Sequence, residues 1–157
     1  LRDDIERLYR ALGPGLLAYG RCILGSRPAA EDALHQVFLK LVSGAVPMPQ
    51  DPRPYLYRAL RNVALNLRRG EIRASERRSA GPLFEAPPEL HEGRIVLEAA
   101  LGELPEEQRQ VVLLRVWGEM TIEEAAEVLC VSPNTVASRY RYALAKLREQ
   151  LHPFFER

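Results

Sequence analysis

Cysteine is scarce in this sequence, with two in 157 residues. Cys22 and Cys130 lie far apart, and His35, His91 and His152 are equally scattered. Neither a disulfide framework nor a zinc site is expected from that spacing, and reduced, buried thiols are. No stretch approaches the roughly 18 apolar residues of a membrane span, so membrane insertion is not expected. A secretory leader is not expected either, and the chain reads as a soluble protein of the cytoplasm. The sequence also lacks low-complexity segments, an internal repeat, a phosphate-cradling Gly-rich loop and a nucleophile–base pair. With no chemistry of that kind, neither an enzyme nor a cofactor is expected.

What the chain does have is segregated charge. The formal net charge is only +1. Residues 53–82 nevertheless hold eight arginines against Glu71 and Glu76, a local net of +6. Residues 83–128 hold eleven acids against three arginines, a local net of −8. From Ser132 to Arg148 the only charges are Arg139, Arg141, Lys146 and Arg148. Two basic blocks around an acidic one suggest two polyanion contacts on separate parts of the chain, or, as the plainer alternative, solvated helix faces.

Apolar spacing is helical nearly throughout, which predicts an all-α fold. Ile5, Leu8, Tyr9 and Leu12 form a first stripe, interrupted at Gly13-Pro14-Gly15 and continued by Leu16, Tyr19 and Ile23. Ser26 is a candidate N-cap, Pro28 suits a first turn, and Glu31 and Asp32 are placed to complement the helix dipole. The helix that follows buries Ala30, Leu34, Val37, Phe38 and Leu41. Four prolines from Pro47 to Pro54 exclude regular helix throughout that run. A long helix over about Tyr55–Arg69 then buries Leu56, Ala59, Leu60, Val63 and Leu67. It turns Arg58, Arg61, Asn62, Asn66 and Arg69 the other way, with Arg68 alongside. Tyr55 and Tyr57 suit either base stacking or the core.

Residues 71–91 lose this periodicity and hold Gly81-Pro82 and Pro87-Pro88. They predict a flexible linker between two small helical domains, 1–70 and 92–157. About twenty extended residues span roughly 70 Å, or about two turns of duplex at ~34–36 Å each. In the second domain, helices are expected at about Arg94–Gly102 and from Pro105, the latter burying Val111, Leu114 and Val116/Trp117 and ending at Gly118.

A helix-turn-helix is the clearest signal. Thr121-Ile122-Glu123-Glu124 reads as a capping box. The short helix after it buries Ile122, Ala125, Ala126 and Leu129, and a turn passes through Cys130-Val131. Ser132-Pro133 then caps a second helix that runs to about Leu151 and buries Val136, Tyr140, Ala143, Leu144 and Leu147. A small residue, a turn residue and a β-branched residue stand at relative positions 5, 9 and 15 (Ala126, Cys130, Val136). That spacing crosses two helices closely and pushes the start of the second into a major groove. Ser132, Asn134, Thr135, Ser138, Arg139 and Arg141 then gather at the DNA-reading end. Asn and Arg can bond base edges, and Ser and Arg can anchor phosphates.

At these residues the chain resembles the bacterial RNA polymerase sigma factors. Leu104-Pro105-Glu106-Glu107-Gln108-Arg109 through Leu151 looks like their region 4, with Thr121–Ala126 and Thr135–Arg139 carrying most of the match. Ala30-Glu31-Asp32 through Phe38-Leu39-Lys40-Leu41, and Tyr55–Arg58 through Arg61–Asn66, resemble region 2. Two such regions with only a linker between them look like the extracytoplasmic-function (ECF) group. The resemblance implies that Asp32, His35, Gln36, Leu39 and Lys40 dock on the β′ clamp of core RNA polymerase. It implies that Arg58, Arg61, Asn62, Asn66, Arg68 and Arg69 engage the promoter −10 element, and that region 4 reads the −35 element and touches the β flap. An inhibitory anti-sigma factor is a further implied partner.

Three residues depart from the family pattern. Gln36 replaces a usual acid and Val42 a usual Trp, which puts the strength of clamp docking in question. Cys130 stands where Gly is usual, so the turn is either strained or different, and a redox role for its thiol is an expectation to test. The rival function is a stand-alone helix-turn-helix regulator with a helical sensing or interaction domain. Such a protein usually dimerises on palindromic sites.

Overall fold

The computed structural model describes residues 2–71 and 91–155. These form seven helices in the order α1 (Arg2–Leu24), α2 (Arg27–Val42), α3 (Pro52–Glu71), α4 (His91–Glu103), α5 (Glu106–Val112), α6 (Ile122–Leu129) and α7 (Pro133–Phe155). A π-helical turn, Leu113–Trp117, extends α5. Among the described residues there is no strand. The expected linker falls almost wholly on residues outside the described ones.

Local signals set most helix ends. The Ser26 side chain accepts a hydrogen bond from the Ala29 amide and caps α2, with Pro28 in its first turn. Glu31 and Asp32 fall in the second turn rather than the first. There Glu31 bonds Arg27 one turn back at 2.6 Å, so its partner is a side chain and not the dipole. Helix α3 starts at Pro52, earlier than expected, because first-turn residues have no intrahelical N–H bond to lose. Pro105 is the N-cap of α5, one position before the expected first turn, with Glu106 and Glu107 following it. Helix α7 continues past Leu151 to Phe155 with Pro153 inside it.

The largest departure is in α1, which runs unbroken through Gly13-Pro14-Gly15. An interior proline costs a helix about 3 kcal/mol. Burial of Leu16, Tyr19, Ile23 and Leu24 on one face offsets it, since each such side chain stabilises by roughly 1.5–3 kcal/mol. Gly15 is there for space rather than for a turn. A β-carbon on it would lie 2.4 Å from the Tyr57 hydroxyl and 3.7 Å from the Trp117 side chain.

That contact already joins the two halves of the chain. Leu16, Tyr19, Leu56, Tyr57 and Leu60 of the N-terminal half share one apolar core with Val111, Leu113, Leu114, Met120, Ala125 and Val136 of the C-terminal half. A smaller cluster of Ala100, Leu101, Leu104, Val112, Ala143 and Leu147 ties α4, α5 and α7 together. The two helical units therefore dock, through α1 and α3 on one side and α5, the π turn and α6 on the other.

Three expected core residues face outward. Tyr9 lies at the edge of the α1 stripe, 40% exposed, with its ring edge-on to Phe38 at 5.0 Å between ring centres. Val116 is about half exposed because the π turn adds a residue and changes the faces of the side chains within it. The Gly118 amide bonds the Leu113 carbonyl five residues back, and a β-carbon at Gly118 would meet the Leu114 carbonyl at 2.5 Å. Leu144 lies on the open side of α7, and Ala143 beside it takes the buried position.

Candidate nucleic-acid interface

The helix-turn-helix is assembled by short-range bonds. Thr121 and Glu124 form the full capping box: the Glu124 amide donates to Thr121 Oγ1 at 3.0 Å, and the Thr121 amide donates to Glu124 Oε1 at 2.9 Å. Ala126 and Val136 are buried where α6 crosses α7. Cys130 sits between them in the left-handed region, at φ 57° and ψ 42°. Of the two outcomes open for this turn, the glycine-type turn is kept, with cysteine held in a conformation that costs an L-residue roughly 1–2 kcal/mol. The Cys130 thiol is free and exposed.

Ser132 caps α7 through the Thr135 amide at 3.1 Å, and the two hydroxyls bond each other at 2.9 Å. Asn134 and Arg141 are exposed, whereas Ser138 and Arg139 are half-buried. The Arg141 guanidinium lies 5.4 Å from the ring centre of exposed Tyr142. Arg115 rests on Tyr140 at 5.0 Å and donates to the Met120 carbonyl, tying the turn before α6 to α7.

Helix α3 has two faces with different fates. Arg58, Asn62, Asn66 and Arg69 are exposed along one of them. Asn62 and Asn66 line a cleft of about 220 Å³ with Tyr55, Lys40 and Val46, and Arg69 bonds Asn66 at 2.6 Å. The two tyrosines separate here: Tyr55 stands at the rim of that cleft, and Tyr57 is core, tilted against Tyr19 with ring centres 5.5 Å apart. Burial raises the Tyr57 hydroxyl above the ordinary tyrosine range.

The other face of α3 is turned to the C-terminal half. Arg68 Nη1 reaches both carboxylate oxygens of Glu106 at 2.8 Å, and Arg53 pairs with Glu119 at 3.1 Å. Arg61 is half-buried beside the Tyr19 hydroxyl. Six residues expected on one DNA-facing surface thus divide, with Arg61 and Arg68 on the covered side.

A buried polar chain accompanies this docking, and the sequence reading missed it. Tyr19 donates to Gln110 Oε1 at 2.9 Å, and Gln110 Nε2 donates to Glu106 at 3.1 Å. Burial pushes the neighbouring Cys22 thiol up to about 12, against the opposing pull of Arg109. Arg109 also closes the end of α4 by donating to the carbonyls of Leu101, Gly102 and Leu104. Gln110, a polar residue inside the apolar stripe of α5, was the one signal available.

On α2, the residues Asp32, His35, Gln36, Leu39 and Lys40 are all exposed along one face, at helical spacing. Leu39 is 65% exposed and Val42 48%, a large apolar area to leave in water. His35 also borders a groove of about 550 Å³ between α1 and α2. Among the described residues, no group of three His, Cys, Asp or Glu side chains could hold a metal ion, and no helix is long and apolar enough to cross a membrane.

All-helical among its described residues, the protein carries the ordered helix-turn-helix of a DNA-binding protein and, apart from it, a second helix lined by arginines and asparagines. Comparison with known proteins gives the family. Residues 8–74 match Sigma-70 region 2, and residues 94–147 match Sigma-70, region 4. The chain is 33% identical over 154 residues to the RNA polymerase sigma-E factor of Streptomyces coelicolor, covering 94% of this chain and 86% of that protein. It is 28% identical to the ECF RNA polymerase sigma factor EcfG of Rhodopseudomonas palustris, covering 97% and 85%. The sigma factor RpoE of Bartonella quintana, solved with the anti-sigma factor NepR, superposes over all of both chains with a TM-score of 0.74 at 22% identity. The chain belongs to the sigma factors, in the ECF group, and its function is promoter-specific transcription initiation with RNA polymerase. A stand-alone regulator is not favoured, since region 2 is matched as well as region 4.

Proposed function

We propose that residues 1–70 bind the polymerase clamp and the −10 element, that 92–157 read the −35 element and touch the β flap, and that 71–91 link them. The observation that carries this division is the pair of exposed faces on the N-terminal unit. The α2 face from Asp32 to Lys40 centres on unburied Leu39, and the α3 face presents Arg58, Asn62 and Asn66 at a cleft. Exposed arginines hold the backbone of a melted strand, while asparagines and Tyr55 bond or stack an extruded base. In the C-terminal unit, Asn134 and Arg141 reach base edges. Ser132 and Thr135 sit at the helix start, where amides and hydroxyls anchor phosphate, and Ser138 and Arg139 stand one turn further along.

In this reading the chain acts in the cytoplasm, contributes no catalytic group of its own, and is bound and inhibited by an anti-sigma factor, the kind of partner with which the Bartonella quintana protein was solved. Run-off transcription with purified core polymerase tests it. Promoter-dependent starts are expected across a genomic library, and their absence sinks the reading.

A further inference from the structure

We propose that the docked form masks itself: Glu106 and Glu119 of the C-terminal half occupy Arg68 and Arg53 of α3, which bind promoter phosphates once the halves separate. The proposal rests on the reading of α3 as the strand-engaging helix. Its starting point is position. Arg53 and Arg68 are fifteen residues apart, about 22 Å along the axis and rotated by only about 60°. They therefore stand on the same side of α3, near its two ends, with Arg61 between them.

The partners of these arginines resemble phosphate in what they offer. A guanidinium bonds paired anionic oxygens in the same way whether carbon or phosphorus carries them. Arg68 holds both oxygens of Glu106 at 2.8 Å. Glu119 reaches Arg53 from a backbone with φ 53°, a conformation that residues with a β-carbon rarely keep. Both glutamates belong to the −8 block and both arginines to the +6 block.

The docked form also leaves donors over. The Nε atoms of Arg53 and Arg61 are buried and find no acceptor among the described residues. Orphaned buried donors favour exchange for a partner with more acceptors. A phosphate backbone tracking the helix supplies one oxygen cluster after another, whereas the C-terminal half supplies one carboxylate at each end. Docking and strand binding thus compete for one face of α3, while its other face stays open throughout.

The test uses the full chain with Cys130→Ser, so that Cys22, buried beside Arg109 at this junction, is the sole thiol. Thiol labelling of Cys22 reports separation of the halves. Anisotropy with a short random-sequence single-stranded DNA reports phosphate binding. Glu106→Gln is expected to raise both the labelling rate and the DNA affinity about tenfold, the scale of one charge-assisted contact. Arg68→Gln should speed labelling equally but leave DNA affinity ungained. Unchanged labelling in Glu106→Gln overturns the proposal, and so does equal DNA binding by the two variants. Should the Glu106 variant fail to fold, Glu119→Gln and Arg53→Gln repeat the comparison at the more exposed end, with effects of about threefold. Labelling needs no DNA or polymerase, so it decides the masking separately from run-off transcription, whose failure would strike the sigma reading instead.

Discussion

Helices α3 and α7, the two proposed to engage DNA, are presented in opposite ways. The start of α7 projects freely from a turn that its own neighbours build. Its cap, its crossing with α6 and its exposed Asn134 and Arg141 all arise within residues 121–141. Helix α3 is held lengthwise, with one face open and the other pressed on the C-terminal half through Arg53, Tyr57 and Arg68. A reading head made by local bonds is ready at all times, whereas one packed against a distant part of the chain can be withheld.

The sharpest way to break this comparison is to strip the open face of α3. Asn62→Ala combined with Arg58→Ala should lower open-complex formation about a hundredfold, taking ~1–3 kcal/mol for each contact. Binding of a −35 duplex should stay unchanged. Equal loss in both assays would mean that α3 and α7 do not work separately. Next in size is α7 itself. Asn134→Ala and Arg141→Ala should each cost ~1–3 kcal/mol on the specific duplex; equal losses on random duplex would reassign them to phosphate.

On α2, Asp32→Ala should weaken β′ pull-down several-fold, about 1 kcal/mol for an interface side chain, while −35 duplex binding persists. An unchanged pull-down would move the clamp surface elsewhere. The smallest effect is expected at Cys130→Gly. Relief of the left-handed backbone, less the entropy that glycine adds to the unfolded chain, should stabilise by about 0.5 kcal/mol and raise Tm by about 1–2 °C. A fall in Tm would show that the thiol and its contact to the Glu127 carbonyl matter more than the strain.

The same contrast explains what was legible in the sequence. The Ser26 cap, the capping box at Thr121 and the spacing of Ala126, Cys130 and Val136 are decided within a few residues, and local chemistry identifies them. The exposed stripe from Asp32 to Lys40 is legible for the same reason, since helical period alone separates it from Leu34, Val37 and Leu41. The docking was not legible. Tyr19 and Gln110 meet across 91 positions and Arg68 and Glu106 across 38, and no local pattern announces such pairs. The continuity of α1 through Pro14 belongs to that second class, because burial against distant helices overrides a local break. Arg61 and Arg68 group with the open-face residues on charge and helix position alone, because the neighbour that covers them leaves no mark on the local sequence.

The wide turn at Leu113–Trp117 has a consequence for how this chain can evolve. It absorbs one extra residue between α5, which is anchored in the shared core, and the helix-turn-helix downstream. Deleting one of its five residues would restore ordinary winding and leave α6 and α7 close to where they stand, because a wide turn of five residues rotates the chain about as far as four α-helical residues do. The helix-turn-helix would keep its aim, and only side chains within the turn would change faces. Length and sequence are therefore both free to drift on the exposed side of this turn, as at Val116, while Gly118 is not, since a β-carbon there would meet the Leu114 carbonyl.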